Sequence, residues 1–154
     1  MNEMPKPTDA HKRLERLIGK WKGEEKMHPS PWDPIGGIAI ARINNRSALD
    51  GFTVMQDYEQ ERNGEVGFRG HGVFSFDATQ QCYFLHWWDS MGMPPNEFKG
   101  NLMDNILTLT SQSPMGLNRA TFDLRQDGKY TFTLDASQDG KQWYTMMEGN
   151  YKRE

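Results

Sequence analysis

Thr121-Phe122-Asp123-Leu124-Arg125-Gln126-Asp127-Gly128-Lys129-Tyr130-Thr131-Phe132-Thr133-Leu134-Asp135 reads as two strands joined by a turn. Phe122 and Leu124 alternate with Thr121, Asp123 and Arg125. Tyr130, Phe132 and Leu134 alternate with Thr131, Thr133 and Asp135. A period of two puts one apolar and one wetter face on each strand. Asp127-Gly128 supplies the positive φ angles that a tight hairpin needs.

The same punctuation recurs outward at Asp50-Gly51, Asn63-Gly64 and Asp139-Gly140. Trp143, Thr145 and Met147 alternate with Tyr144, Met146 and Glu148 after the last of these. The pattern predicts about ten strands, over 21–28, 38–46, 52–61, 66–76, 82–89, 96–100, 105–112, 117–126, 129–137 and 141–152. Short links make the order up-and-down and antiparallel. Closure into a barrel removes the unpaired edges that a long meander leaves. One helix is expected, with Thr8 as N-cap, over Asp9 to Ile18; Leu14, Leu17 and Ile18 share a face and Gly19 ends it. Residues 1–8 read as a flexible N-terminus and 9–154 as a single β-barrel domain.

Composition sets bounds. With 154 residues, 18 Lys+Arg and 21 Asp+Glu, the net charge of -3 recommends neither nucleic acid nor an anionic membrane as partner. Aromatics at 12% are too many for a disordered chain. The first residues lack the apolar core of a secretory signal, and the one cysteine, Cys82, makes no internal disulfide, so the expected location is cytoplasmic. The histidines at 11, 28, 71 and 86 show no metal-ligand spacing, and no Gly-x-Ser-x-Gly elbow occurs.

Helix, Gly19-Lys20-Trp21, then a β-meander resembles the calycins: lipocalins, fatty-acid-binding proteins and nitrobindins. The resemblance implies a calycin-like barrel whose floor joins Gly19 and Trp21 to a basic residue of the last strand, Lys152 or Arg153. The chain also resembles, over nearly its whole length, a bacterial calycin-like family, domain of unknown function 1579. The residues are Leu17-Ile18-Gly19-Lys20-Trp21-Lys22-Gly23, Phe76-Asp77, Tyr83, Trp87-Trp88-Asp89-Ser90, Asp139-Gly140 with Trp143, and Glu148 with Tyr151. Nitrobindins hold haem through a histidine of the C-terminal strands. Residues 87–154 contain none, so haem is not expected; no other cofactor is expected, and the histidine spacing gives no expectation of a metal.

Barrels of about eight or more strands can enclose a small ligand, which makes the interior the default site. Three clusters are candidates. In the fourth and fifth strands, pairing of Phe76 with Cys82 would put Arg69, His71, Trp87 and Asp89 on one face. Phe68, Phe74, Phe76, Phe84, His86 and Trp88 would share the other. Either face could be the inner one, and a one-residue slip exchanges partners between them. The second cluster is the proline-rich loop around Trp32, where calycins carry a lid. The third is Met91-Gly92-Met93-Pro94-Pro95, an adaptable apolar mouth or a contact with a second copy in a homodimer. The glycines at 67, 70 and 72 are expected to free space beside them. The leading expectation is a non-enzymatic module holding a small hydrophobic or amphipathic molecule through Trp32, His71, His86, Trp87, Trp88, Asp89, Met91 and Met93. The alternatives are an enzyme using His71 or His86 with Asp89, and an interaction protein whose barrel is filled by its own side chains.

Overall fold

A computed structural model describes residues 3–31 and 33–154. Helix α1 (Asp9–Lys12) tightens into a 3-10 segment, Arg13–Leu17. Ten strands follow: β1 (Gly19–Met27), β2 (Gly37–Ala48), β3 (Thr53–Arg62), β4 (Glu65–Asp77), β5 (Cys82–Asp89), β6 (Asn96–Met103), β7 (Ile106–Ser113), β8 (Gly116–Asp123), β9 (Lys129–Ser137) and β10 (Tyr144–Arg153). Each pairs antiparallel with its sequence neighbours, and β10 closes on β1 in register from Trp21–Arg153 to Met27–Met147. The seam is tight: a Cβ on Gly23 would lie 1.7 Å from the Asn150 carbonyl oxygen.

The two ends of the barrel differ. At one end Leu14 and Leu17 are buried under the strands. The Leu17 carbonyl accepts from Trp21 Nε1 at 2.9 Å and from Asn45 Nδ2 at 2.8 Å. The Arg153 guanidinium lies 4.4 Å from the centre of the Trp21 ring and donates to the Ile18 carbonyl. Tyr83 donates its hydroxyl proton to the Ala10 carbonyl at 2.7 Å, and Arg16 Nε donates to the Leu124 carbonyl at 2.7 Å. These contacts make a sealed floor. At the other end the connections 28–36, 63–64, 90–95, 114–115 and 138–143 form a rim, with no helix across it among the described residues.

Three expectations need correction. The N-terminal helix is α-helical for only four residues before it narrows. Its start is held by His11, whose Nδ1 accepts from the Thr8 N–H at 3.0 Å. In the β4–β5 hairpin, Phe76 pairs with Tyr83 and Asp77 with Cys82, one residue away from the expected register. Asp77 stays in the strand because its carboxylate accepts the Thr79 and Gln80 N–H groups, closing a loop of 78–81. The slip puts Phe68, Phe74 and Phe76 on the inner face with Trp87 and Asp89. It puts Arg69 and His71 on the outer face with Phe84, His86 and Trp88. The glycines free no space: a Cβ on Gly70 would lie 2.1 Å from the Trp87 indole, one on Gly72 would crowd Leu85 and Trp87, and Gly67 is exposed.

Candidate binding site

Burial of the inward-facing side chains changes along the barrel axis. Near the floor, Trp21, Val54, Phe74, Leu107, Phe122 and Tyr130 are buried. Toward the rim, Met27, Phe68, Trp87, Phe132, Leu134 and Met147 also face inward but stay partly exposed. Solvent therefore reaches the inward-facing side chains toward the rim. Ile35, Met91, Met93, Met115 and Tyr144 stand exposed around the rim connections.

Below this apolar wall lies a polar cluster. Strand parity carries Trp21, Gly23 and Glu25 inward together, and Glu25 is 0% exposed. Its Oε1 accepts from the Tyr58 hydroxyl at 2.5 Å and Gln60 Nε2 at 2.9 Å; its Oε2 accepts from the Tyr151 hydroxyl at 2.5 Å. Gln60 also approaches Met27 Sδ at 3.6 Å, on the rim side. Burial first, then the nearby Glu25, pushes the Tyr58 and Tyr151 hydroxyls well above the ordinary phenol range, so both remain donors. Tyr130, tilted against Tyr151 at 4.8 Å between ring centres, is shifted up for the same reasons, offset in part by its approach to the Asn45 side chain. Among the described residues no Lys or Arg is buried, and no cation pairs with Glu25.

The structure separates the residues singled out from sequence. Trp87 and Asp89 have inward parity, with the indole Nε1 donating to Asp89 Oδ2 at 2.9 Å. His71 is outside, 2.9 Å from Asp57, beside the exposed Trp88. Both line a shallow outer concavity of about 650 Å³ across β1 to β5, whose other walls are mostly charged side chains. His86 is also outside, stacked on Phe84 and 3.4 Å from Glu97, at a second outer concavity of about 500 Å³. Met91 and Met93 are on the rim. Trp32 lies outside the described residues, but the loop that carries it is anchored at the rim: Arg62 donates to Asp33 at 2.7 Å, and the His28 N–H donates to the Met146 carbonyl at 2.9 Å.

Neither His71 nor His86 meets Asp89, so that pairing does not form; His71 pairs instead with Asp57 and His86 lies near Glu97. The residues do not fit a histidine-ligated haem either. His71 and His86 point away from the interior, His28 bonds Glu148 at 2.9 Å, and His11 is held by Thr8 at the floor. No group of three or more metal-ligating side chains occurs among the described residues. The Glu25 cluster escaped the sequence reading, although a signal was present. Trp21 on the floor fixes the inward parity of β1, and counting by two from it reaches Glu25.

A family profile described as protein of unknown function (DUF1579) matches residues 6–153. The chain belongs to this family. Comparison with curated proteins gives no match. Among solved structures, this DUF1579 chain is similar to Rv2717c from M. tuberculosis, with a TM-score of 0.71 at 11% identity over 96% of this chain and 98% of that one. It is also similar to the S-type phycobiliprotein lyase CPES from Guillardia theta, with a TM-score of 0.61 at 12% identity over 96% and 98%. At such identities the likeness concerns the fold: a ten-stranded closed barrel of the calycin type.

Proposed function

We propose that this DUF1579 protein is a binding module that takes a small amphipathic molecule into the upper half of its barrel without transforming it. The observation that carries the reading is the burial gradient: inward-facing apolar side chains that are sealed near the floor and reached by solvent near the rim. Met27, Phe68, Trp87, Phe132, Leu134 and Met147 offer an apolar wall to a chain. Ile35, Met91, Met93 and Tyr144 extend it outward. The polar cluster beneath gives a head group a place to bond. This combination of apolar lining and few convergent polar groups is typical of small-molecule sites. The similarity in fold to a phycobiliprotein lyase is compatible with the binding of a small molecule.

Trp87 reports on the site because its indole forms part of the wall. Titration with a medium-chain amphiphile, kept below its micelle concentration, should give a saturable change in tryptophan emission with one ligand per chain. Trp87→Phe should remove most of that change while calorimetric binding persists. A non-saturating response, or an unchanged signal in Trp87→Phe, would place the ligand elsewhere or nowhere.

A further inference from the structure

A buried carboxylate with no counter-charge is expensive to hold in an apolar interior. Glu25 is fully enclosed, and its three hydrogen-bond partners are all neutral. Two of them, Tyr58 and Tyr151, are deep. The third, Gln60, is the member nearest the rim, next to Met27, and its N–H reaches Glu25 Oε1 at 2.9 Å. The flanking inward positions on β2 are small: Ala39 pairs with Glu25 and Ala41 with Gln60.

We propose that the barrel selects an amphiphile with a protonated, N–H-bearing amine head, which seats on Glu25 in the place of the Gln60 amide. This rests on the interior-binding reading above and names the class of ligand. The Gln60 amide supplies one neutral N–H to Oε1. An ammonium offers the same N–H together with the positive charge that the enclosure lacks, and charge-assisted bonds are the stronger kind. Asp89, a further acid of inward parity among the described residues, stands at the rim end of β5. With acids inside and no buried Lys or Arg among the described residues, a carboxylate head would meet repulsion. The apolar chain would lie along Phe68, Trp87, Phe132 and Leu134 toward the rim.

The test compares decylamine, decyltrimethylammonium, decanol and decanoate at neutral pH, below their micelle concentrations, by calorimetry. Decylamine should bind at least about tenfold tighter than decanoate or decanol, as expected for hydrogen bonds to a charged group. Decyltrimethylammonium, which has charge but no N–H, should bind more weakly than decylamine. Glu25→Gln should erase the preference, and Gln60→Ala, by removing the built-in competitor, should tighten decylamine alone. If all four bind equally, interior binding stands and the amine head is overturned. Tighter binding of decanoate overturns it as well. If none binds, the interior reading fails and takes this inference with it. Should Glu25→Gln not fold, Gln60→Ala decides: an equal change for all four ligands refutes the displacement.

Discussion

Glu25 and Trp21 sit two turns of the pleat apart on one strand and do opposite things. Trp21 is 2% exposed, is bonded to Leu17 and carries Arg153 on its ring. Trp21→Ala should cost about 3–5 kcal/mol, the usual range for deleting a large buried aromatic. Denaturant unfolding measures it, and a loss under about 1 kcal/mol would mean that the floor is not held by this ring. Glu25 depends on its donors. Tyr58→Phe or Tyr151→Phe should each cost about 1–3 kcal/mol, because a buried acceptor loses a partner. The double variant should cost more than the sum, since the first loss leaves the carboxylate dependent on the remaining phenol. Additive values would show that the two bonds to Glu25 are energetically independent. Asp33 adds a pH dependence: its bond to Arg62 holds its carboxyl below the ordinary carboxylate range. A group depressed in this way lends its support above the unfolded Asp value and loses it as the pH falls through the lower folded value. The 33–36 segment should therefore keep its amide protection from neutral pH down to about pH 4, loosening only in stronger acid. Arg62→Gln should loosen it at every pH, which hydrogen exchange can follow.

Strands resolve the question of where glycine is needed. Gly23 and Gly100 face backbone of the neighbouring strand: a Cβ at either would meet the Asn150 carbonyl oxygen at 1.7 Å or the Thr108 carbonyl oxygen at 1.9 Å, respectively. A Cβ on Gly67 would meet nothing within 4 Å. Gly23→Ala should thus destabilise strongly, by more than about 3 kcal/mol, whereas Gly67→Ala should stay within about 0.5 kcal/mol of the parent. Thermal denaturation of the two variants side by side checks this, and similar losses would deny that the β1–β10 seam is sterically closed. The elements are largely legible in the sequence. Alternation in 121–135 and the Asp-Gly and Asn-Gly turns mark strands and hairpins by local chemistry alone. The β4–β5 register is not legible, because it depends on whether the Asp77 side chain caps the loop from inside the strand or belongs to it. That single residue decides whether Trp87 shares a face with His71 or with Phe74. Alternation likewise cannot say which face is inner where both carry aromatics. The polar cluster is hidden for a related reason: Glu25, Tyr58, Gln60 and Tyr151 come from three strands, and only barrel closure brings the last of them to the first.

At the scale of the whole molecule, the order of the strands repeats the order of the chain everywhere except at the β1–β10 seam. Hairpins between neighbours form at low entropic cost, but the seam must join residues more than a hundred positions apart, so closure should come late in folding. Substitutions confined to the seam, such as Tyr151→Phe, should speed unfolding more than they slow refolding. Stopped-flow kinetics would show the reverse if closure were the nucleus. The sealed floor has a further effect once the barrel is made. Helix α1, Trp21 and Arg153 leave one doorway, so an occupant leaves by the route it entered and a newcomer cannot push it from behind. Exchange of one bound amphiphile for another would then proceed by departure followed by arrival, with a chase rate that does not rise with the concentration of the competitor.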